Sequence, residues 1–391
     1  MIYKNMSKTE AKKQILEGSN AIALTIKNIA PEVVSAYPIT PQTHIVEDLA
    51  NYQANGEADF QYLRAESEFA AASIVLGASA AGTRVYSATS SQGLLLMNEV
   101  IYSISGMRLP VVMTCANRAI SSPINIWNDH SDVMSIRDAG WLQFFASDNQ
   151  EAIYQHLLAY KIAETLELPA MVNVDGFILT HSYEAVSIPE IKTIKAFLPK
   201  RPLSGYRLDP ENPITMGAFF GPAYYLETRE KLHLDLIAAK ALIKKEYAKL
   251  QKLLGNKKKS GDDGLAEYIG PKQAKNIIIA MGSVNGTIEE EIKNKKDVGL
   301  LKIKVFRPFP DLEIIKQLKK ARNVAVIDKA LSIGQSGPLY ADIAGLNGLK
   351  NKNIKNYIAG LGGRDISQKT IAKIITDMQK RGKKINFVKS V

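Results

Sequence analysis

Along the chain, short apolar runs of strand length alternate with longer stretches whose apolar positions recur at helical spacing. The first long stretch predicts an opening helix from about Ser7 to Ile29, with Ser7 as N-cap and Glu10 three residues on, the reciprocal pair that closes a helix N-terminus. VVSAYPIT (33–40) predicts a short strand that stops at Pro41. Residues 66–81, ESEFAAASIVLGASAA, predict a helix of small residues that can approach its neighbours closely. RVYSATS (84–90), PVVMTCA (110–116) and PAMVNVD (169–175) are β-rich runs, each separated from the next by a helical segment. Residues 224–254 predict one long helix, with Leu226, Leu232, Leu236, Leu242, Ile243, Tyr247 and Leu250 at helical spacing. GNKKKSGDDG then breaks the pattern, so 255–272 reads as a linker or exposed loop. After it, NIIIAMG, LLKIKVF, NVAVIDK and IKNYIAG resume the alternation, and no internal repeat is visible. The prediction is an α/β chain: a mainly parallel, doubly wound unit at 1–254 and a smaller α/β unit at 273–391.

Composition narrows the class. At 391 residues the chain can hold two or three domains of ~150 residues, and 46% hydrophobic with 23% charged residues excludes a largely disordered chain. No apolar run approaches the ~18–20 residues of a membrane span, and the start, MIYKNMSKTEAKKQ, has no apolar h-region, so a cytoplasmic protein without membrane contact is expected. The single cysteine, Cys115, excludes a disulfide framework, a zinc knuckle and a four-thiolate cluster; any iron–sulfur centre must belong to another chain. Cys115 itself is expected as a buried strand residue. The net charge of +11 is unevenly placed: residues 1–239 carry 18 Lys and Arg against 25 Asp and Glu, a net of −7, and residues 240–391 carry 32 against 14, a net of +18. Such a basic half could attract nucleic acid, but its runs lack interleaved aromatics and any nucleic-acid module, so a solvated face or a docking face for an acidic subunit is the reading adopted.

Ligands of open α/β sheets sit beyond the carboxyl ends of strands, and four polar segments fall there. In AYPITPQT (36–43) two prolines bracket Ile39 and Thr40 and hold the Thr40 hydroxyl in a preset place, although a purely structural turn would look the same. In RAESEF, Glu66 and Glu68 open an otherwise apolar helix, where a carboxylate also complements the dipole. Ser90, Ser91, Gln92 and Gly93 form a strand-to-helix turn whose backbone N–H groups could receive an anion or a carbonyl. Arg118 directly follows a strand, a position from which a guanidinium can clamp a carboxylate. Asp129, His130 and Asp132 are metal-ligand types but lack a second histidine, and His44, His130, His156, His181 and His233 form no i, i+4 pair, so no metal site is assigned. Neither G-x-x-x-x-G-K-[ST], G-x-G-x-x-G nor G-x-S-x-G occurs. The residues alone describe a carboxylate-and-arginine cleft and name no reaction.

AYPITPQT, ESEFAAASIVLGASAAG, ATSSQGLLLMNE, NRAISSPINIWNDHSD, DAGWLQFFASDNQEA, VFRPFP and IAGLGGRDIS together, in order from residue 36 to 367, resemble the alpha subunits of pyruvate:ferredoxin oxidoreductase (pyruvate synthase), within the 2-oxoacid:ferredoxin oxidoreductase family. The resemblance implies a thiamine-diphosphate pyrimidine-binding-type domain followed by a smaller, transketolase C-terminal-like domain. It implies oxidative decarboxylation of pyruvate on thiamine diphosphate, with the acetyl group passing to coenzyme A and electrons to ferredoxin. A beta subunit would hold the diphosphate and its Mg2+, and gamma and delta subunits or fused equivalents would complete the iron–sulfur-containing enzyme. Carried over residue by residue, Glu68 is the partner of the aminopyrimidine N1′, with Glu66 its competitor. Thr40 and Arg118 orient the substrate carboxylate, and Ser91, Gln92 and Gly93 line the cofactor. The Lys-rich 255–272 region departs from the family pattern on the surface, away from the cleft. 2-Oxoisovalerate, 2-oxobutanoate and 2-oxoglutarate stay open as alternative substrates, and nucleic-acid binding as a remote alternative function.

Overall fold

A computed structural model describes residues 13–201, 206–257, 259–349 and 351–389. Seven strands make the first sheet, in the order Val305–Arg307, Leu142–Phe145, Ala170–Asp175, Val112–Asn117, Val85–Thr89, Val33–Ala36, Gln61–Arg64. Six of them run parallel and Val305–Arg307 pairs antiparallel at the edge. Val85–Thr89, Val112–Asn117 and Ala170–Asp175 are buried along their whole length, as strands covered on both faces must be. Ile22 and Ile26 of helix Gly18–Ile29, Ile45 and Leu49 of Thr43–Ala54, and Leu157 of Asn149–Leu166 cover one face. Ala71, Ala72 and Val75 of Glu68–Ala80 and Ile101 and Ile104 of Asn98–Gly106 cover the other. This is the doubly wound α/β arrangement the alternation predicts.

The second sheet has six strands in the order Ile385–Phe387, Asn353–Ile358, Asn323–Asp328, Asn276–Ala280, Val298–Ile303, Ala266–Ile269, parallel except for the last. One hydrophobic cluster runs through both units, joining Val111, Met113 and Phe145 to Ile277, Leu301 and Phe306. The long helix is Pro222–Leu253, with Pro222 in its first turn, where the missing N–H costs nothing. Its Leu232, Ala239, Ile243 and Leu250 face the first core. No helix among the described residues is long and apolar enough to cross a membrane.

Two expectations are corrected. Of the helix expected over Ser7–Ile29, the helical part is Gly18–Ile29; Gln14–Glu17 is a strand paired antiparallel with Tyr183–Val186, and Ser7 and Glu10 lie outside the described residues. The 255–272 stretch is no simple exposed loop: Leu265 is buried and Ala266–Ile269 forms the antiparallel edge of the second sheet.

Candidate active site

Four neighbouring parallel strands deliver the residues singled out in the sequence to one end of the first sheet. Thr40 follows Val33–Ala36, Glu68 follows Gln61–Arg64, Ser91 to Gly93 follow Val85–Thr89, and Arg118 follows Val112–Asn117. The chain steps outward from Val33–Ala36 to Gln61–Arg64, then returns to the other side of Val33–Ala36 with Val85–Thr89. That reversal falls between the Thr40 and Ser91 loops, and such a switch in strand order is where open α/β sheets take ligands.

Ser67 caps the next helix by accepting from Ala70 N–H at 3.1 Å, which makes Glu68 its first residue. Glu68 is buried and Glu66, before the cap, is exposed. The Glu68 carboxylate makes no hydrogen bond or ion pair among the described residues. It presses on Gly93: a Cβ there would lie 2.7 Å from Glu68 Oε1 and 2.6 Å from Thr89 Oγ1, and the buried Thr89 hydroxyl has no partner among the described residues. Only glycine admits that approach.

Arg118 and Thr40 are brought together. Arg118 Nη1 donates to the Thr40 carbonyl at 2.8 Å and Nε to the Asn125 carbonyl at 3.2 Å. Two of the five guanidinium N–H groups are thereby used, and the other three have no partner among the described residues. Thr40 is exposed, and no bond of its hydroxyl exists among the described residues. Burial lowers the Arg118 pKa from the ordinary arginine value, opposed by Asp132 nearby. Asp132 is the buried hub of the cleft floor, accepting from Ser91 N–H at 3.0 Å, Arg118 N–H at 2.9 Å and Asn117 Nδ2 at 3.0 Å. Burial raises its pKa and these donors oppose the rise. Cys115 is buried with its thiol on Asp132 at 3.4 Å, and burial and that carboxylate push its pKa well up, so it is no nucleophile.

At the turn 90–93, two backbone N–H groups and two side chains are engaged within the protein. Ser91 N–H goes to Asp132 and Gly93 N–H to the Ser90 carbonyl at 2.9 Å. Ser91 Oγ donates to the Ala119 carbonyl at 2.6 Å and Gln92 Nε2 to the Ser121 carbonyl at 3.2 Å, so both side chains brace the turn against the loop after Arg118. Asp129, His130 and Asp132 diverge: Asp129 accepts from Ser131 and Gly362 N–H, and His130 Nε2 meets Asp175 at 2.7 Å. Glu17, His44 and His181 do converge, with ligand atoms within 4.8 Å of one another.

The sequence profile of the pyruvate flavodoxin/ferredoxin oxidoreductase thiamine-diphosphate-binding domain matches residues 25–248, and that of pyruvate:ferredoxin oxidoreductase core domain II matches 274–371. The chain belongs to the pyruvate:ferredoxin oxidoreductase family. Subunit PorA of pyruvate synthase from Methanocaldococcus jannaschii is 45% identical over 382 residues, 95% of this chain and 96% of that one. Subunit VorA of ketoisovalerate oxidoreductase from Pyrococcus abyssi is 40% identical over 374 residues, 94% of each chain. A solved 2-oxoglutarate:ferredoxin oxidoreductase from Magnetococcus marinus, with 2-oxoglutarate, coenzyme A and succinyl-CoA bound, shares the fold with a TM-score of 0.72 at 20% identity, over 95% of this chain and 66% of that one.

The residues gathered at this end of the sheet fit a thiamine-diphosphate-binding domain, as the matched family model describes it. Glu68, a buried residue whose carboxylate has no partner among the described residues, and the orphaned Thr89 hydroxyl stand beside the bare Gly93 and leave polar atoms for a ligand. Sequence reasoning weighed Asp132 only as a metal ligand. Its role as hub had no local signal, because its partners at 91, 117 and 118 are distant in sequence.

Proposed function

We propose that this chain is the alpha subunit of a multi-subunit, thiamine-diphosphate-dependent pyruvate:ferredoxin oxidoreductase that reversibly converts pyruvate and coenzyme A to acetyl-CoA and CO2 while reducing ferredoxin. The observation that carries the reading is the buried Glu68, whose carboxylate has no partner among the described residues, at the topological switch of the first sheet. Thiamine diphosphate, when bound, supplies the carbon nucleophile and electron sink for decarboxylation. Glu68 would hold the proton at N1′ of its aminopyrimidine, a position that draws basicity toward the 4′-nitrogen. Gly93 keeps the backbone beside that carboxylate bare, and Ser91 and Gln92 brace the same turn. Arg118, with three N–H groups unpartnered among the described residues, and the Thr40 hydroxyl would receive the substrate carboxylate. A bidentate clamp of this kind binds the ground-state charge, so it governs affinity and selectivity more than rate.

The rest of the assembly is part of the same proposal. Beta, gamma and delta subunits or fused equivalents would hold the diphosphate with its Mg2+ and the iron–sulfur clusters, in a cytoplasmic enzyme. The pyrimidine-binding unit is 1–254, and the transketolase C-terminal-like unit is 273–391 together with its edge strand Ala266–Ile269. The 40% identity to a ketoisovalerate oxidoreductase subunit favours 2-oxoisovalerate as the second reading.

Anaerobic co-expression with the partner subunits, followed by coenzyme A-dependent viologen reduction, tests both. Pyruvate should exceed 2-oxobutanoate, 2-oxoisovalerate and 2-oxoglutarate in kcat/KM. Glu68→Gln should lower kcat by about 10²–10⁴-fold, the range of a lost acid–base group, and Glu66→Gln should leave it within about twofold. Preference for 2-oxoisovalerate changes the substrate and keeps the chemistry. Full activity in Glu68→Gln removes Glu68 from the reaction.

A further inference from the structure

The motifs NRAISSPINIWNDHSD and IAGLGGRDIS lie on different units, and the fold joins them at one place. The turn Gly360–Gly363 of the second unit docks on residues 125–129, the segment that returns from Arg118. Asn125 Nδ2 donates to the Gly362 carbonyl at 3.1 Å, Gly362 N–H to Asp129 Oδ2 at 3.0 Å, and Gly363 N–H to the Asn128 carbonyl at 2.7 Å. Asn125 Oδ1 accepts from Trp127 N–H at 2.7 Å, and the Asn125 carbonyl accepts from Arg118 Nε at 3.2 Å. A single side chain therefore holds its own loop in shape, ties it to the other unit and fixes the carbonyl on which the guanidinium rests.

The glycines make this docking possible. Gly362 and Gly363 have φ of +60° and +81°, the left-handed region that disfavours a side chain. A Cβ on Gly362 would lie 2.5 Å from Asn125 Nδ2, and one on Gly363 would collide with Trp127 Cβ. The GLGG sequence thus serves a backbone-to-loop approach between units and leaves its carbonyl and N–H groups free to hold the loop.

We infer that Asn125 and the Gly360–Gly363 turn are positioning elements for Arg118, so that the second unit sets the affinity of the first unit's cleft for a 2-oxoacid carboxylate. Arg118 has one anchor on the Thr40 carbonyl and one on Asn125. Without the second, the guanidinium can pivot about the first, and the fork no longer faces the ligand in a fixed plane. The inference rests on the proposed role of Arg118 as carboxylate binder.

Asn125→Asp isolates the joint. The aspartate keeps the acceptor for Trp127 N–H but sets a second oxygen, in place of the amide donor, against the Gly362 carbonyl. In the assembled enzyme, KM for pyruvate should rise about tenfold, the scale of one lost hydrogen bond with its partner left unsatisfied. kcat should stay within about twofold, and the concentration of thiamine diphosphate that half-restores activity to cofactor-depleted enzyme should be unchanged. Gly362→Ala, which disturbs the same joint from the other unit, should move KM in the same direction. In an Arg118→Ala background, the Asn125→Asp effect on KM should vanish. If Arg118→Ala alone leaves KM unaltered, the carboxylate-binding role fails and this inference with it. If Arg118→Ala raises KM while Asn125→Asp and Gly362→Ala do not, or if the Asn125→Asp effect persists additively without Arg118, the carboxylate role stands and the positioning inference is overturned.

Discussion

Burial fixes the protonation of His156 more firmly than any neighbouring charge. Nδ1 donates to the Ala152 carbonyl at 2.7 Å, which leaves Nε2 as the acceptor for the Thr114 hydroxyl at 2.6 Å; Thr114 in turn accepts from Tyr86 at 2.6 Å. Burial pulls the imidazole pKa down to about 4, and the Ala152 bond offsets only part of that. An unfolded chain binds the proton near the ordinary histidine pKa of ~6.5. Between these limits the unfolded state carries a proton that the folded state lacks, so this contribution to stability is present above pH ~6.5 and is lost as pH falls toward 4, by ~3 kcal/mol in all. His156→Gln cannot titrate. Urea unfolding of the two chains from pH 7 to pH 4 should show their difference narrowing by about that amount; parallel curves would disprove it. The same scale shows what a sequence can and cannot say about a carboxylate. Glu66 and Glu68 differ little in spacing, but Ser67 caps the helix between them, and the cap leaves one outside and exposed while the other becomes the buried first residue. The hub role of Asp132 carries no such local mark.

Among elements, those that carry their own pattern were legible and those defined by a distant partner were not. The buried runs at 85–89, 112–117 and 170–175 have the length and β-branched content that mark central strands. QILE at 14–17 adjoins a helix and is too short to show alternation, and it is a strand only because Tyr183–Val186 lies beside it. The corner where that strand turns into helix Gly18–Ile29 is tight: Gly18 N–H reaches the Ser182 carbonyl at 3.0 Å, Ser19 N–H the Thr180 carbonyl at 2.9 Å, and the Leu179 carbonyl occupies the place of a Cβ at Gly18. Gly18→Ala should therefore destabilise the chain by ~1–3 kcal/mol, as overpacking does. Gly286, in helix Val284–Ile292, has open space where its Cβ would be, and Gly286→Ala should stabilise by ~0.4–1 kcal/mol. Thermal midpoints that fail to move in opposite directions would refute the close-approach argument.

At the scale of the whole molecule, two units are bound by more than a linker. Strand Val305–Arg307 leaves the second unit to pair with Leu142–Phe145, a crossing that the run LLKIKVF does not announce, since its apolar residues suit either sheet. At the carboxyl ends of both sheets, Asp175 meets His130 Nε2 at 2.7 Å, Lys329 Nζ at 2.7 Å and Ser283 N–H at 3.0 Å, with the Ser283 hydroxyl on the same carboxylate and Asn128 on Lys329. Burial raises the Asp175 pKa, but Lys329 and His130 outweigh it and hold the carboxyl well below its usual range. Lys329→Met removes one buried charge and leaves the Asp175 carboxylate to His130 and Ser283 alone, a loss that approaches the ~3–5 kcal/mol cost of breaking a buried pair. Asp175→Asn, Lys329→Met together should cost less than the two single changes added, by ~0.5–3 kcal/mol, because the double variant leaves no unpaired charge between the units. A double-mutant cycle by urea unfolding reads that coupling directly. Strict additivity would mean that the continuous core and the crossing strand hold the units together without help from the buried ion pair.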